Sequence, residues 1–299
     1  MISTILVIGA GAMGSQIGMV CALAGYTTAV YDVDASRFGE TTRDLRNRLD
    51  RRVSNGSVNA PDRDSALARL SFTTDLDTAA ASADFVIEAA TERLPIKRYL
   101  FAAIDKLAPA HTILATNSSG FVPSQLADAT TRPDRVCNMH FFNPALVMKC
   151  VEVVRGPQTS DDTIATTVAL TERLGKTPVV LDKEIPGFIA NRILNAVRDE
   201  AIFLFENDIA SVGAIDTACR TALGYPMGPF ELMDLTGIDI GYYTKQARYT
   251  ESGDLKDAPS GSVTALVERG ELGRKSGIGW YAYDADGTKK PRPDFRGES

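Results

Sequence analysis

No uninterrupted apolar run of 18 residues occurs in this 299-residue chain, which excludes a membrane-spanning helix on sequence grounds. Cysteine is scarce. Cys21, Cys137, Cys150 and Cys219 are scattered without a CxxC pair, as expected of reduced thiols in a cytoplasmic protein. Histidine is scarcer still: His111 and His140 offer no metal-ligand spacing, so no metal site is expected. Basic residues are outnumbered, 32 to 38, giving a formal net charge of -6. That balance argues against general binding of nucleic acid or an anionic membrane. Any anionic ligand must be met locally, by basic side chains or helix N-termini. The opening Met1-Ile2-Ser3-Thr4-Ile5 lacks the basic segment and small-residue cleavage site of a signal peptide and enters a strand almost at once. There is no internal repeat.

What is present is an ordinary soluble composition, 44% hydrophobic and 23% charged, on a chain long enough for two domains. Short branched apolar runs recur at residues 2–8, 27–31, 85–87, 112–114, 136–139, 151–154 and 179–181. Helical stretches such as 13–24 and 94–107 lie between several of them. Strand–helix alternation predicts a mostly parallel sheet covered on both faces. Residues 35–70 read as an insertion with a helix–helix turn at 55–64. The pattern changes near Lys183-Glu184-Ile185-Pro186-Gly187, after which helices are expected at 188–206, 211–223, 230–249 and 262–269. The expected fold is therefore an α/β Rossmann-type domain over residues 1–184, followed by an all-α domain over 185–299.

Gly9, Gly11 and Gly14 form GxGxxG between the first apolar run and the first helix. In that context the glycines allow a tight turn, backbone approach to a pyrophosphate, and close packing of helix on strand. The helix N-terminus supplies unpaired N–H groups to the phosphates. Asp32 ends the next strand about 20 residues on, where a carboxylate accepts from ribose hydroxyls and repels a 2′-phosphate. NAD is favoured over NADP. The fingerprint alone admits FAD, and the remaining motifs argue against it.

Those motifs follow later strands: Asn117-Ser118-Ser119, then His140-Phe141-Phe142-Asn143-Pro144, then Glu152 within Lys149-Cys150-Val151-Glu152-Val153-Val154, then Asn191 in Gly187-Phe188-Ile189-Ala190-Asn191-Arg192. With Gly224-Tyr225-Pro226-Met227-Gly228-Pro229-Phe230-Glu231-Leu232 and Leu272-Gly273-Arg274-Lys275-Ser276-Gly277, they make nearly the whole chain resemble the L-3-hydroxyacyl-CoA dehydrogenase family.

The resemblance implies that His140 is the catalytic base, with Glu152 its acidic partner. Oxidising an alcohol removes a hydride from carbon and a proton from oxygen, and a neutral imidazole can take that proton near neutral pH. It further implies that Ser119 and Asn191 hold the substrate oxygen, with Ser118 adjacent to blur the first assignment. Asn143 positions substrate or the His–Glu pair, and Glu92 and Lys97 lie near the nicotinamide ribose. Where the family usually carries serine and lysine near the coenzyme A adenosine, this chain has Arg51 and Arg52, either of which could meet phosphate. Pro95 is also a departure and is expected to start its helix early. The family implies an acyl-CoA thioester substrate and a homodimer, with the substrate entering between two domains. Ile202, Leu204 and Phe205 could serve core or interface. Two other readings stay open: a related dehydrogenase of a free hydroxy acid or sugar acid, and a non-catalytic dinucleotide-binding protein.

Overall fold

The structure, a computed structural model, describes residues 2–292. The chain divides into two compact units that meet between Ile189 and Ala190. None of the described helices is long and apolar enough to cross a membrane.

The first unit is built on strands β1 (Thr4–Ile8), β2 (Thr27–Tyr31), β3 (Leu70–Thr73), β4 (Phe85–Glu88), β5 (Ile113–Thr116), β6 (Val136–Phe141), β7 (Cys150–Arg155) and β8 (Thr177–Leu181). They form one sheet in the order β3-β2-β1-β4-β5-β6-β7-β8, parallel throughout except that β6 and β7 run antiparallel. Its helices are α1 (Ala12–Leu23), α2 (Phe38–Ser54), α3 (Ala60–Arg69), α4 (Leu76–Ala81), α5 (Leu94–Leu107), α6 (Ser124–Ala127) and α7 (Asp161–Arg173). Central strands are apolar on both faces because each face is covered. Ile5, Val7, Ile87, Ala115 and Met139 enter one buried cluster, while Leu6, Ile8, Val86 and Leu114 enter another. Burying such side chains contributes roughly 1.5–3 kcal/mol each. The order reverses direction at the β1–β4 boundary, and in sheets of this kind ligands gather beyond the strand C-termini at that point.

Two elements differ from the sequence expectation. β3 lies at the end of the supposed insertion. It is a four-residue edge strand paired only to β2 and never fully buried, so it carries no long apolar signature. The helix expected over 230–249 is broken. The second unit consists of α8 (Ala190–Glu206), α9 (Val212–Ala222), α10 (Pro229–Thr236), α11 (Ile238–Ser252), α12 (Gly261–Glu268) and a small hairpin of β9 (Ala282–Tyr283) and β10 (Lys289–Lys290). Gly237 separates α10 from α11 at φ 96°, a backbone conformation open chiefly to glycine.

Ile202 belongs to the core of this unit, with Leu204 and Phe205 packed against it, as are Phe230 and Trp280. Two buried carboxylates organise that core. Asp216 accepts from the Phe230 and Glu231 amides and the Tyr281 hydroxyl. Asp234 accepts from the Trp280 and Tyr281 amides and the Tyr283 hydroxyl. Ile193, Phe203, Leu223, Ile240 and Tyr243 are exposed in the described chain.

Candidate active site

The turn after β1 is set by Gly9, at φ 101°. A Cβ there would fall 2.6 Å from the Ala89 carbonyl oxygen, and one on Gly14 would fall 1.8 Å from that of Gly9, so neither position accepts a side chain. A Cβ on Gly11 would meet no atom within 4 Å, which leaves room for a ligand before the N-terminus of α1. Asp32, just past β2, is tied to this turn: its carboxylate accepts from the Ala10 amide at 2.7 Å and the Asp34 amide at 3.2 Å. The glycine turn and Asp32 are thus held together as one unit before the N-terminus of α1.

Beyond β4 lies a polar network that the sequence did not disclose. Lys97 on α5 is not a surface charge. It is 1% exposed, and its Nζ donates to Glu88 Oε1 at 2.8 Å and Oε2 at 2.9 Å. It lies 3.1 Å from Glu92 Oε2. Pro95 sits in the first turn of α5, which begins at Leu94. Glu88 also accepts from the Ala90 amide and the Thr116 hydroxyl. Lys97 Nζ also donates to the Ala90 carbonyl at 3.5 Å, and Glu92 is partly open to solvent.

Glu92 in turn accepts from the Ser118 hydroxyl. Ser118 is buried and also accepts from the Phe121 amide at 2.8 Å, so it serves the loop. Ser119 is exposed, and its hydroxyl has no hydrogen bond among the described residues. This separates two serines that spacing alone could not.

The loop carrying Ser119 is bound to β6. Asn138 Nδ2 donates to the Ser118 and Phe121 carbonyls, and Asn117 Oδ1 accepts from the Phe141 backbone amide at 2.8 Å. Neither Asn117 nor Asn138 stood out as a link between this loop and His140's strand. Only the register of β5 beside β6 brings them together.

His140 lies opposite Glu152 in the antiparallel pairing of β6 with β7. That register, and not any proximity in sequence, makes the pair: His140 Nδ1 lies 2.8 Å from Glu152 Oε2. An ionised carboxylate only accepts, so a neutral imidazole facing it would hold its proton on Nδ1 and leave Nε2 as the acceptor. Both residues are buried, at 5% and 1% exposure. Glu152 Oε1 accepts from the Ile189 amide at 3.0 Å. The His140 ring packs against Phe142 and Phe188, with centroids at 4.6 and 5.4 Å. Phe188 holds φ 49°, a conformation costing on the order of 1–3 kcal/mol for a side-chain-bearing residue. Its placement against the imidazole, with the next amide on Glu152, is a feature that sequence gave no sign of.

Asn143 is exposed in the loop after β6. Arg52 is committed to that loop, donating from Nη1 to the Leu146 carbonyl at 2.5 Å, whereas Arg51 is exposed and its side chain donates, among the described residues, only to the Asn47 carbonyl of its own helix. Asn191 is half-buried in the first turn of α8, within the second unit. The glycine turn, Asp32, Glu92 and Ser119 follow the C-terminal ends of parallel strands, and His140 lies within the last two residues of β6, at the same edge of the sheet. Among the described residues no cluster could hold a metal ion.

The chain is similar to known proteins over nearly its whole length. The family model for the 3-hydroxyacyl-CoA dehydrogenase NAD binding domain matches residues 4–185, and that for the C-terminal domain matches residues 187–283. A probable 3-hydroxybutyryl-CoA dehydrogenase of Bacillus subtilis is 38% identical over 95% of this chain and 98% of its own. The human mitochondrial hydroxyacyl-coenzyme A dehydrogenase is also 38% identical, over 93% and 90% respectively. The crystal structure of (S)-3-hydroxybutyryl-CoA dehydrogenase from Ralstonia eutropha superposes with a TM-score of 0.87 at 37% identity, covering 95% of this chain and all of that one. The chain is an NAD-dependent oxidoreductase and belongs to the 3-hydroxyacyl-CoA dehydrogenase family.

Proposed function

We propose that this enzyme interconverts (S)-3-hydroxyacyl-CoA and 3-ketoacyl-CoA with NAD, acting on short chains such as 3-hydroxybutyryl-CoA and acetoacetyl-CoA. The observation that carries the reading is the buried His140–Glu152 pair at the strand edge that also bears the dinucleotide turn. NAD, held by the glycine turn and Asp32, supplies the acceptor or donor of hydride at substrate carbon 3. His140 Nε2 takes the hydroxyl proton during oxidation and returns it during reduction. Glu152 fixes the tautomer and stabilises the imidazolium that forms, a division of labour known from other acid–base dyads.

Ser119 hydrogen-bonds the substrate oxygen. Asn143 positions the substrate, and Asn191 is assigned to the substrate oxygen on its motif. Glu92 meets the nicotinamide ribose, with Lys97 fixing it from behind. Arg51 is the freer of the two arginines to meet a coenzyme A phosphate. The exposed apolar side chains of the second unit suit the association of two copies, and the sparse thiols suit a cytoplasmic setting. A domain boundary at residues 184–185 would place the Pro186-Gly187 turn at the start of the helical domain.

A second reading has some support, because a 5-formyl-3-hydroxy-2-methylpyridine 4-carboxylic acid 5-dehydrogenase is 30% identical at a TM-score of 0.76. NADH oxidation measured spectrophotometrically with acetoacetyl-CoA, and in parallel with free acetoacetate, separates the two. Rapid consumption with the thioester alone is expected. Consumption with the free acid, or with neither, would contradict the acyl-CoA reading.

A further inference from the structure

The hairpin loop between His140 and Glu152 needs partners that it does not contain. Ala145 and Leu146 are buried, so their backbone polar groups must be satisfied from elsewhere. Three side chains reach in. Lys176, in the turn between α7 and β8, donates from Nζ to the Ala145 carbonyl at 2.5 Å and to the Met148 carbonyl at 2.7 Å. Arg52 of α2 donates to the Leu146 carbonyl, and Gln16 of α1 accepts from the Leu146 amide at 3.5 Å. Lys176 is itself fixed by the end of α7: its amide donates to the Thr171 carbonyl, behind Gly175 at φ 68°. The side chain is 8% exposed, and among the described residues no carboxylate forms an ion pair with it.

We propose that Lys176 is a positioning residue for the reaction: its ammonium clamps the loop joining the two strands that carry His140 and Glu152, and so holds the pair in register. The proposal rests on the acid–base reading above. Two backbone carbonyls, rather than a carboxylate, receive its charge, so the bonds are charge-assisted only while the amine is protonated. Burial lowers the Lys176 pKa to about 8, and Lys149 and Arg52 add repulsion. These two are the charged groups that face it, one from the loop and one from α2. Gln16, arriving from α1, is neutral. A lysine whose folded pKa is depressed loses its charge as pH rises through that value, so the clamp weakens above it.

Oxidation is the informative direction. It needs the unprotonated imidazole, so loss of activity at alkaline pH cannot come from deprotonating His140. With 3-hydroxybutyryl-CoA and NAD, wild-type kcat should rise with pH and then fall above about 8, whereas Lys176→Arg, which keeps its charge, should lack that alkaline fall. Lys176→Met should lower kcat by roughly tenfold or more while changing the Kd for NADH by less than about twofold. Hydrogen exchange at the Val147 and Met148 amides, both bonded to the Pro144 carbonyl, should quicken in Lys176→Met by about tenfold relative to β2 amides.

Wild-type-like kcat and exchange in Lys176→Met would overturn the proposal, as would an alkaline fall shared by wild type and Lys176→Arg. If wild type fails to turn over the thioester, the acyl-CoA reading fails. The exchange measurement then decides the clamp by itself: faster loop exchange supports it and unchanged exchange refutes it. The same measurement serves if Lys176→Arg does not fold.

Discussion

Replacing Lys97 by methionine isolates the energetics beneath the cofactor edge. Methionine keeps an unbranched stem of similar length and deletes only the charge and its donors. In the native chain that ammonium meets both oxygens of Glu88, at 2.8 and 2.9 Å, with 1% and 0% of the two side chains exposed. Removing one member of a buried pair leaves an uncompensated charge, at about 3–5 kcal/mol. The Ala90 amide and Thr116 hydroxyl still donate to Glu88, each at 2.7 Å, which places the loss near the lower bound, about 3 kcal/mol. For a unit of this size that corresponds to a melting decrease of roughly 6–12 °C.

The transition of the first unit is followed by far-UV circular dichroism. Trp280, the sole tryptophan, lies in the second unit and reports its unfolding separately. Adding Glu88→Gln to Lys97→Met should restore at least half of the loss, because the orphaned charge is gone. A single-variant loss under about 1 kcal/mol, or a double variant weaker than the single, would refute the reasoning.

Three further outcomes are expected. Asp32→Ala should weaken NADH binding and narrow the preference over NADPH, by about tenfold or more in the ratio of Kd values. An unchanged ratio would remove Asp32 from ribose recognition. Ser119→Ala should lower kcat/KM by roughly 10–100-fold, since one hydrogen bond to the substrate oxygen is lost. Equal kcat/KM in the variant and wild type would reassign the serine. In the helical unit, desolvation by burial raises Asp234 to about 6, against its three donors, and Asp216 adds repulsion. An acid with a raised folded pKa binds more protons folded than unfolded, so its contribution to stability improves as pH falls from about 6 towards 4. Relative to Asp234→Asn, wild type should gain stability across that interval by Trp280 fluorescence. A pH-independent difference would contradict the assignment.

What was legible in the sequence was what sits in consecutive residues. GxGxxG after an apolar strand, Asp32 at the next strand's end, and His140 in its five-residue motif each announce themselves within a few positions. The fold class followed from strand–helix alternation. What stayed hidden depends on strand register. Lys97 and Glu88 look like ordinary helix and strand charges until α5 is laid over β4 and the two bury each other. Asn138 reads as a filler residue of β6 until the β5 loop is placed beside it, and Lys176 as a surface lysine until the β6–β7 loop folds over it. Helix α10 ends where a single glycine turns left-handed, a signal too local to outweigh the surrounding helical composition.

The most direct test of the central claim is single-turnover oxidation of NADH by acetoacetyl-CoA in His140→Ala, with NADH affinity measured on the same preparation. The expected result is a rate lower by roughly 10²–10⁴-fold with a Kd for NADH within about twofold of wild type. A rate within tenfold of wild type, with the cofactor bound as before, would remove the imidazole as proton carrier.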